Sequence, residues 1–392
     1  MKKIISIFAG LTNIQRTLVL IILGVVLYGL SASLSYSLLS QSKPASSTKE
    51  NLASLPGPGN EFTEDPNDPK TESCPLNGVK RTKKSRDFWE RRRPLAVMVE
   101  NHTESRPQSG LSAADVVYEA VAEGGITRFM AVYYCSLGDI QVGPVRSART
   151  YYLDWLGEYD ALYAHVGGAN TPGPADALGQ IIKYSVKDLN QFSIGFPVFW
   201  RDYQRLGRSV ATEHTMYSTT AKLWAVGAKR GYTATDSAGV NWSDKFTPWK
   251  FKDDKGGGIT SNITVNFWES QQGYEVNWTY DPAVNLYKRK NGGSPHMDLN
   301  NNTQLGAKVI VVQFEKESNA NDGYPGNVHL LYGTTGTGKA LFFQDGGVIE
   351  GKWIKAKRLT RTKYVDAAGK EIEFNRGQIW IQTVPEGSKV SY

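Results

Sequence analysis

Two arginines three residues apart, Arg146 and Arg149, follow Gly143-Pro144 at the start of an expected helix. Positions i and i+3 share a helix face, and two guanidinium forks near a helix N-terminus suit bidentate capture of a carboxylate or phosphate. Polar side chains interrupt the apolar segments around them. Glu119 and Glu123 sit in one apolar run, Arg128 sits in the next, and Asn101 and Arg106 lie in a polar loop after residues 94–100. Arg146 and Arg149 are therefore expected as anion clamps, with Arg128, Glu119, Asn101 and Arg106 as further ligand-binding residues. The competing reading is an internal ion-pair network joining the arginines to Glu119, Glu123 or Asp154, which needs no ligand.

His165 ends an expected strand just before Gly167-Gly168-Ala169-Asn170, and Glu213-His214 precedes another expected helix. Loops at strand ends are where α/β folds place ligands. Converging there, His165 or His214 could act as general base and Glu123 as its orienter or acid, with the arginines stabilising negative charge. That is hydrolase or transferase chemistry. A histidine that only hydrogen-bonds in the core is the plainer alternative.

Other chemistries are poorly supported. The five histidines, at 102, 165, 214, 296 and 329, form no H-E-x-x-H pair, so a metal site would require assembly from distant segments. No metal or cofactor is expected. Residues 333–339 match G-x-x-x-x-G-K, but Ala340 follows where a phosphate loop needs Ser or Thr, and the run continues as a strand. A glycine-rich hairpin is expected there. No G-x-S-x-G elbow is present.

The elements that must position these residues begin with a stretch free of charge over 17–39, long enough to cross a bilayer. Lys2, Lys3 and Arg16 precede it, so residues 1–16 are expected in the cytoplasm and the rest beyond the membrane. A cleaved signal peptide, with Ser31-Ala32-Ser33 near the cut, is the alternative. No cysteine follows the run at a position for lipid attachment. Residues 40–73, rich in Ser, Pro and Asn, read as a flexible linker. A mixed α/β domain is expected over 74–240, with helices near residues 148–157, 176–184 and 218–230. A mostly antiparallel β domain follows over 241–392. The expected class is thus α+β with an N-terminal transmembrane helix.

A formal charge of +7 and a pI near 9.1 favour polyanions such as wall polymers or anionic lipid. Nucleic acid is an unlikely partner, because the basic runs carry few interleaved aromatics. With two cysteines the chain has no disulfide framework; Cys74 and Cys135 either stay free or close one bridge.

Several segments together resemble the YerB-like family of bacterial envelope proteins: CPLNG at 74–78, RPLAVMVEN at 93–101, EGGITRFM at 123–130, GPVRSAR at 143–149 and YAHVGG at 163–168. In the second half, WTYD at 278–281, PHMD at 295–298 and IEGKW at 349–353 extend the likeness. It implies a two-part, extracytoplasmic chain of unknown function and supplies no catalytic residues. Members are often lipoproteins, and this chain departs from them in lacking the lipid-accepting cysteine.

Overall fold

The computed structural model describes residues 12, 15, 64–260, 262–324 and 328–392. The chain divides into a unit over Met1–Leu55 and a compact unit over Pro56–Tyr392. In the first, Thr12 and Gln15 exchange hydrogen bonds between backbone N–H and side-chain oxygen. The expected transmembrane helix over 17–39 lies outside the described residues.

The expected α+β class is corrected. Among the described residues no helix is long and apolar enough to cross a membrane. The longest, Thr220–Lys229, has ten residues, about half of what a bilayer requires. The described fold is mostly β, and its main sheet draws strands from both halves of the chain.

That sheet has ten strands. In chain order they are β1 (Leu95–Glu100), β2 (Val116–Glu123), β3 (Ile126–Tyr133), β4 (Leu162–His165), β5 (Lys187–Asn190), and then, after three strands of a second sheet, β9 (Val309–Glu315), β10 (Gly336–Gln344), β11 (Gly347–Lys355), β12 (Lys363–Asp366) and β13 (Ile379–Pro385). Across the sheet the order is β12-β11-β10-β9-β13-β2-β3-β1-β4-β5. The late strand β13 lies between early β2 and late β9, parallel to both, with Gln382 opposite Glu119. Strands β1 and β9 are buried at every position, as expected where both faces of a sheet are covered. Residues 333–339 lead into β10, which turns at Asp345-Gly346 into β11, as the hairpin reading expects.

One face of the sheet carries helix α1 (Thr150–Leu156), where Trp155 stacks on Tyr118 of β2 at 5.4 Å between ring centres. The opposite face meets a second, antiparallel sheet built on β6 (Asn262–Val265), β7 (Val276–Asp281) and β8 (Leu286–Asn291). There Trp278 packs edge-on against Trp380. Between the sheets lies a buried polar core. Arg289 donates from Nη2 to Glu119 at 2.9 Å and from Nε to His296 Nδ1 at 2.9 Å; Arg289 and Glu119 are both fully buried. Because His296 Nδ1 accepts that bond, its Nε2 carries the proton and donates to Gln108 at 2.6 Å. Burial and the neighbouring Arg289 charge hold the His296 pKa well below its ordinary value, so this ring stays neutral.

Glu315, at the end of β9, is a second buried carboxyl. Its Oε1 accepts from Gln313 at 2.8 Å, while Oε2 has no hydrogen-bond partner. Burial, reinforced by the charge of Asp154 and opposed by Lys355, pushes its pKa up to about 8. The native state therefore holds this proton more tightly than the unfolded chain, and the stability it confers is lost as pH rises from about 4.5 towards 8. Relative to the parent, Glu315→Gln should gain thermal stability between pH 5 and pH 8. A melting-temperature difference independent of pH would contradict the assignment.

Candidate functional site

Strand register begins the site. On the α1 face of the sheet, Glu100 of β1 lies directly opposite Arg128 of β3, a cross-strand pairing of opposite charges. Regular alternation would turn Glu123 to the other face with Glu119 and Val121. A register shift between Val121 and Glu123 re-aims it instead. Glu123 thus meets Arg128 Nη2 at 2.9 Å and also pairs with Arg149.

The segment from Gly143 supplies Arg146. It runs extended along the end of β1: Glu100 N–H donates to Pro144 O, Arg146 N–H to Met98 O, and Val145 N–H to Met216 O. Gly143 has φ of +142°, and a Cβ there would come within 2.8 Å of Met216 O, so the close approach needs glycine. The expected common helix face for Arg146 and Arg149 does not form, because α1 starts only at Thr150, with Arg149 as its N-cap.

Two adjoining cavities open here. The first, about 340 Å³, is lined by Glu100, His102, Glu123, Arg128 and His214, among others. The second, about 520 Å³, is lined by Ser147, Gly167, Asn170, Phe192 and Arg201, among others. Arg146 and Glu213 border both. Arg146 contacts Glu100 through Nε, and its two terminal nitrogens make no hydrogen bond among the described residues. Burial alone would raise the Glu100 pKa, but its contact with His214 and the charges of Arg128 and Arg146 hold it down to about 2. Glu100 is a fixed anion at any physiological pH.

His214 therefore sits beside a permanent negative charge, its Nδ1 3.7 Å from Glu100, too far for a hydrogen bond. Its ring stacks on His102 at 4.7 Å between centres. Burial, with the nearby charge of His214, lowers the His102 pKa.

The site residues expected from sequence separate into two groups. Arg146, Arg128, Glu123 and His214 line the first cavity, with Arg149 just behind Glu123. His165 does not join them: it is fully buried, with Nδ1 on Gly167 O and Nε2 on Asp188, both at 2.7 Å. Glu119, Asn101 and Arg106 belong to the polar core between the sheets. Asn101 Oδ1 accepts from Arg106, Gln108 and Asn291, and its amide reaches Thr127, which bonds Glu119.

Sequence reasoning did not single out His102, Glu104, Arg201 or Phe192. Only the short H-x-E spacing of His102 and Glu104 hinted at the first two.

Residues 76–233 match the family model described as the N-terminal domain of a protein of unknown function (DUF3048), and residues 263–381 match its C-terminal domain. The chain is 30% identical over 326 residues to "Putative lipoprotein YerB" of Bacillus subtilis (strain 168), covering 82% of this chain and 88% of that one. The chain belongs to the DUF3048 family. A crystal structure of the YerB protein from Bacillus subtilis is similar too, with a TM-score of 0.67 and 28% identity over 82% of this chain and all of that one.

Both cavities are lined by residues of the DUF3048 N-terminal match alone. The Glu119–Arg289 pair and the β2–β13 pairing join it to the C-terminal match. In this DUF3048 chain the second half thus braces the sheet whose other face carries the cleft.

Proposed function

We propose that this protein works outside the cytoplasm, associated with the membrane, and binds a polar or anionic component of the cell envelope in the paired cavities. A single observation carries the ligand reading: Arg146 stands where the cavities meet with its terminal nitrogens unspent. A guanidinium presented this way is a bidentate partner for phosphate or carboxylate. In the larger cavity Arg146 and Arg201 outnumber the single carboxylate of Glu213, so that end suits an anion. Phe192 forms an aromatic wall there while remaining 77% exposed, a flat apolar face of the kind that packs against a sugar ring or other carbon skeleton. The compartment is supported by the Cys74–Cys135 disulfide, which persists under oxidising conditions, and by the lipoprotein designation of the Bacillus relative.

Binding of a phosphate-bearing wall polymer to the full chain, measured by calorimetry, tests the reading. Arg146→Gln should weaken it roughly 10- to 100-fold, the effect of losing a charge-assisted hydrogen bond or two. Arg146→Lys should recover only part, because the ammonium keeps the charge without the fork. Equal affinity in all three proteins would remove Arg146 from the ligand site.

One observation favours a second reading, an envelope hydrolase or transferase: His214 lines the first cavity beside ionised Glu100, an arrangement able to orient a general base. Loss of turnover in His214→Gln, with polymer affinity retained, would select this reading.

A further inference from the structure

We propose that His102, Glu104 and His214 form a binding site for a divalent transition metal ion of the zinc class at the mouth of the smaller cavity. One ring nitrogen of each histidine and one carboxylate oxygen of Glu104 lie within 4.8 Å of one another. Two imidazoles and a carboxylate are a ligand set that zinc and its neighbours accept. Donors about 2.0–2.2 Å from a tetrahedral metal stand roughly 3.3–3.6 Å apart, so the three groups must close by up to about 1.5 Å. Glu104 is exposed and can supply much of that movement.

The ligands come from two short turns. His102 caps the turn Thr103–Ser105, which carries Glu104, and His214 ends the turn Thr212–His214. The two rings stack and hold the turns together; because the nitrogen lone pairs lie in the ring planes, one ring must turn out of the stack for both to reach a single ion.

A second observation points to a cation independently of this spacing. His214 is 5% exposed, its Nδ1 has no hydrogen-bond partner, and 3.7 Å from that atom lies Glu100 Oε2, the oxygen that Arg146 Nε contacts. A metal on Nε2 fixes the ring proton on Nδ1, and metal-bound histidines characteristically direct that proton at a carboxylate. On the other side of the ring, Nε2 lies 3.8 Å from Glu104. Metal binding would thus supply partners for both nitrogens.

Charge agrees. The smaller cavity is lined by four carboxylates, Glu100, Glu104, Glu123 and Glu213, against the two guanidinium groups of Arg128 and Arg146. With neutral histidines the lining carries two net negative charges, and Arg149, paired with Glu123 from behind, reduces the excess to one, a balance that still favours a cation. His102 Nδ1 accepts a 3.2 Å hydrogen bond from Glu104 N–H, so coordination through its Nε2 moves the ring proton to Nδ1 and gives up that bond. The site is open on the cavity side, leaving coordination positions for water or for an anionic group reaching from the larger cavity.

The test needs no polymer and stands apart from the anion reading. The full chain, stripped with a chelator, is titrated with zinc chloride by calorimetry. One site of micromolar or tighter Kd is expected, weakened at least tenfold in His214→Ala and in Glu104→Gln, and unchanged in His329→Ala. Glu104→Gln is decisive if His214→Ala fails to fold, because Glu104 is a surface residue. Zinc affinity equal in parent and Glu104→Gln, or no saturable site, overturns the proposal. Polymer binding measured separately in chelator reports on Arg146 whichever way zinc behaves.

Discussion

Replacing Arg289 with methionine is expected to destabilise the protein by about 3–5 kcal/mol, because Glu119 would be left as an uncompensated charge between two sheets. Arg289 is enclosed by Trp380, Trp278 and Phe129, whose ring centres lie 4.5, 5.2 and 5.6 Å from its guanidinium carbon, so no water can replace it cheaply. The pair also anchors a network. Gln382 and Thr127 both donate to Glu119, and Trp278 donates to Gln382. Changing Glu119 to leucine in the same protein should recover part of the loss, since the unpaired charge disappears. Recovery should be incomplete, because Gln382 and Thr127 then lack their acceptor. Urea unfolding of the single and double variants measures this. A loss under about 1 kcal/mol in the single variant would mean that the pair does not hold the sheets together.

The second large effect is expected at the disulfide. Cys74 and Cys135 are separated by 61 residues and joined, and closing a loop of that length restricts the unfolded chain by an amount estimated at about 4 kcal/mol. The joined ends are also knitted by Asp115, whose carboxylate accepts from Tyr134 N–H, Cys135 N–H and the Asn77 amide at 2.7–2.9 Å. Burial pushes the Asp115 pKa up to about 6 in spite of those bonds. A Cys74→Ser, Cys135→Ser double variant should lose about 2–4 kcal/mol, and reductant should lower the parent to the same stability. If reductant leaves the parent unchanged, the bridge is not constraining the chain. The same bridge decides between the alternatives that composition left open, free thiols or one pair.

Much of the local structure was legible in the chain. Gly124-Gly125 between two apolar runs suits a hairpin, although the first run reads equally as a short helix, and the structure forms the β2–β3 hairpin; Asp176 and Thr219 cap helices Ala177–Lys183 and Thr220–Lys229. These signals act over a few residues, where turn and cap chemistry is specified by residue type. The site was legible in part. Arg146, Arg128, Glu123 and His214 do meet, although Arg146 and Arg149 do so from an extended segment and an N-cap rather than from one helix face. Asn101, Arg106 and Glu119 looked similar in sequence and went to the other side of the sheet.

By itself, the sequence determined the family, the short elements and the presence of charges within apolar runs. Tertiary structure decided which charges would be partners and which would face solvent. Strand pairing is the physical reason: an apolar strand pattern is compatible with many neighbours, and side-chain direction reverses with each residue along it. Setting β13 beside β2 aligned Gln382 with Glu119 in the closed core, while the shift after Val121 turned Glu123 towards the open cleft. Neither event is written in any local run of residues.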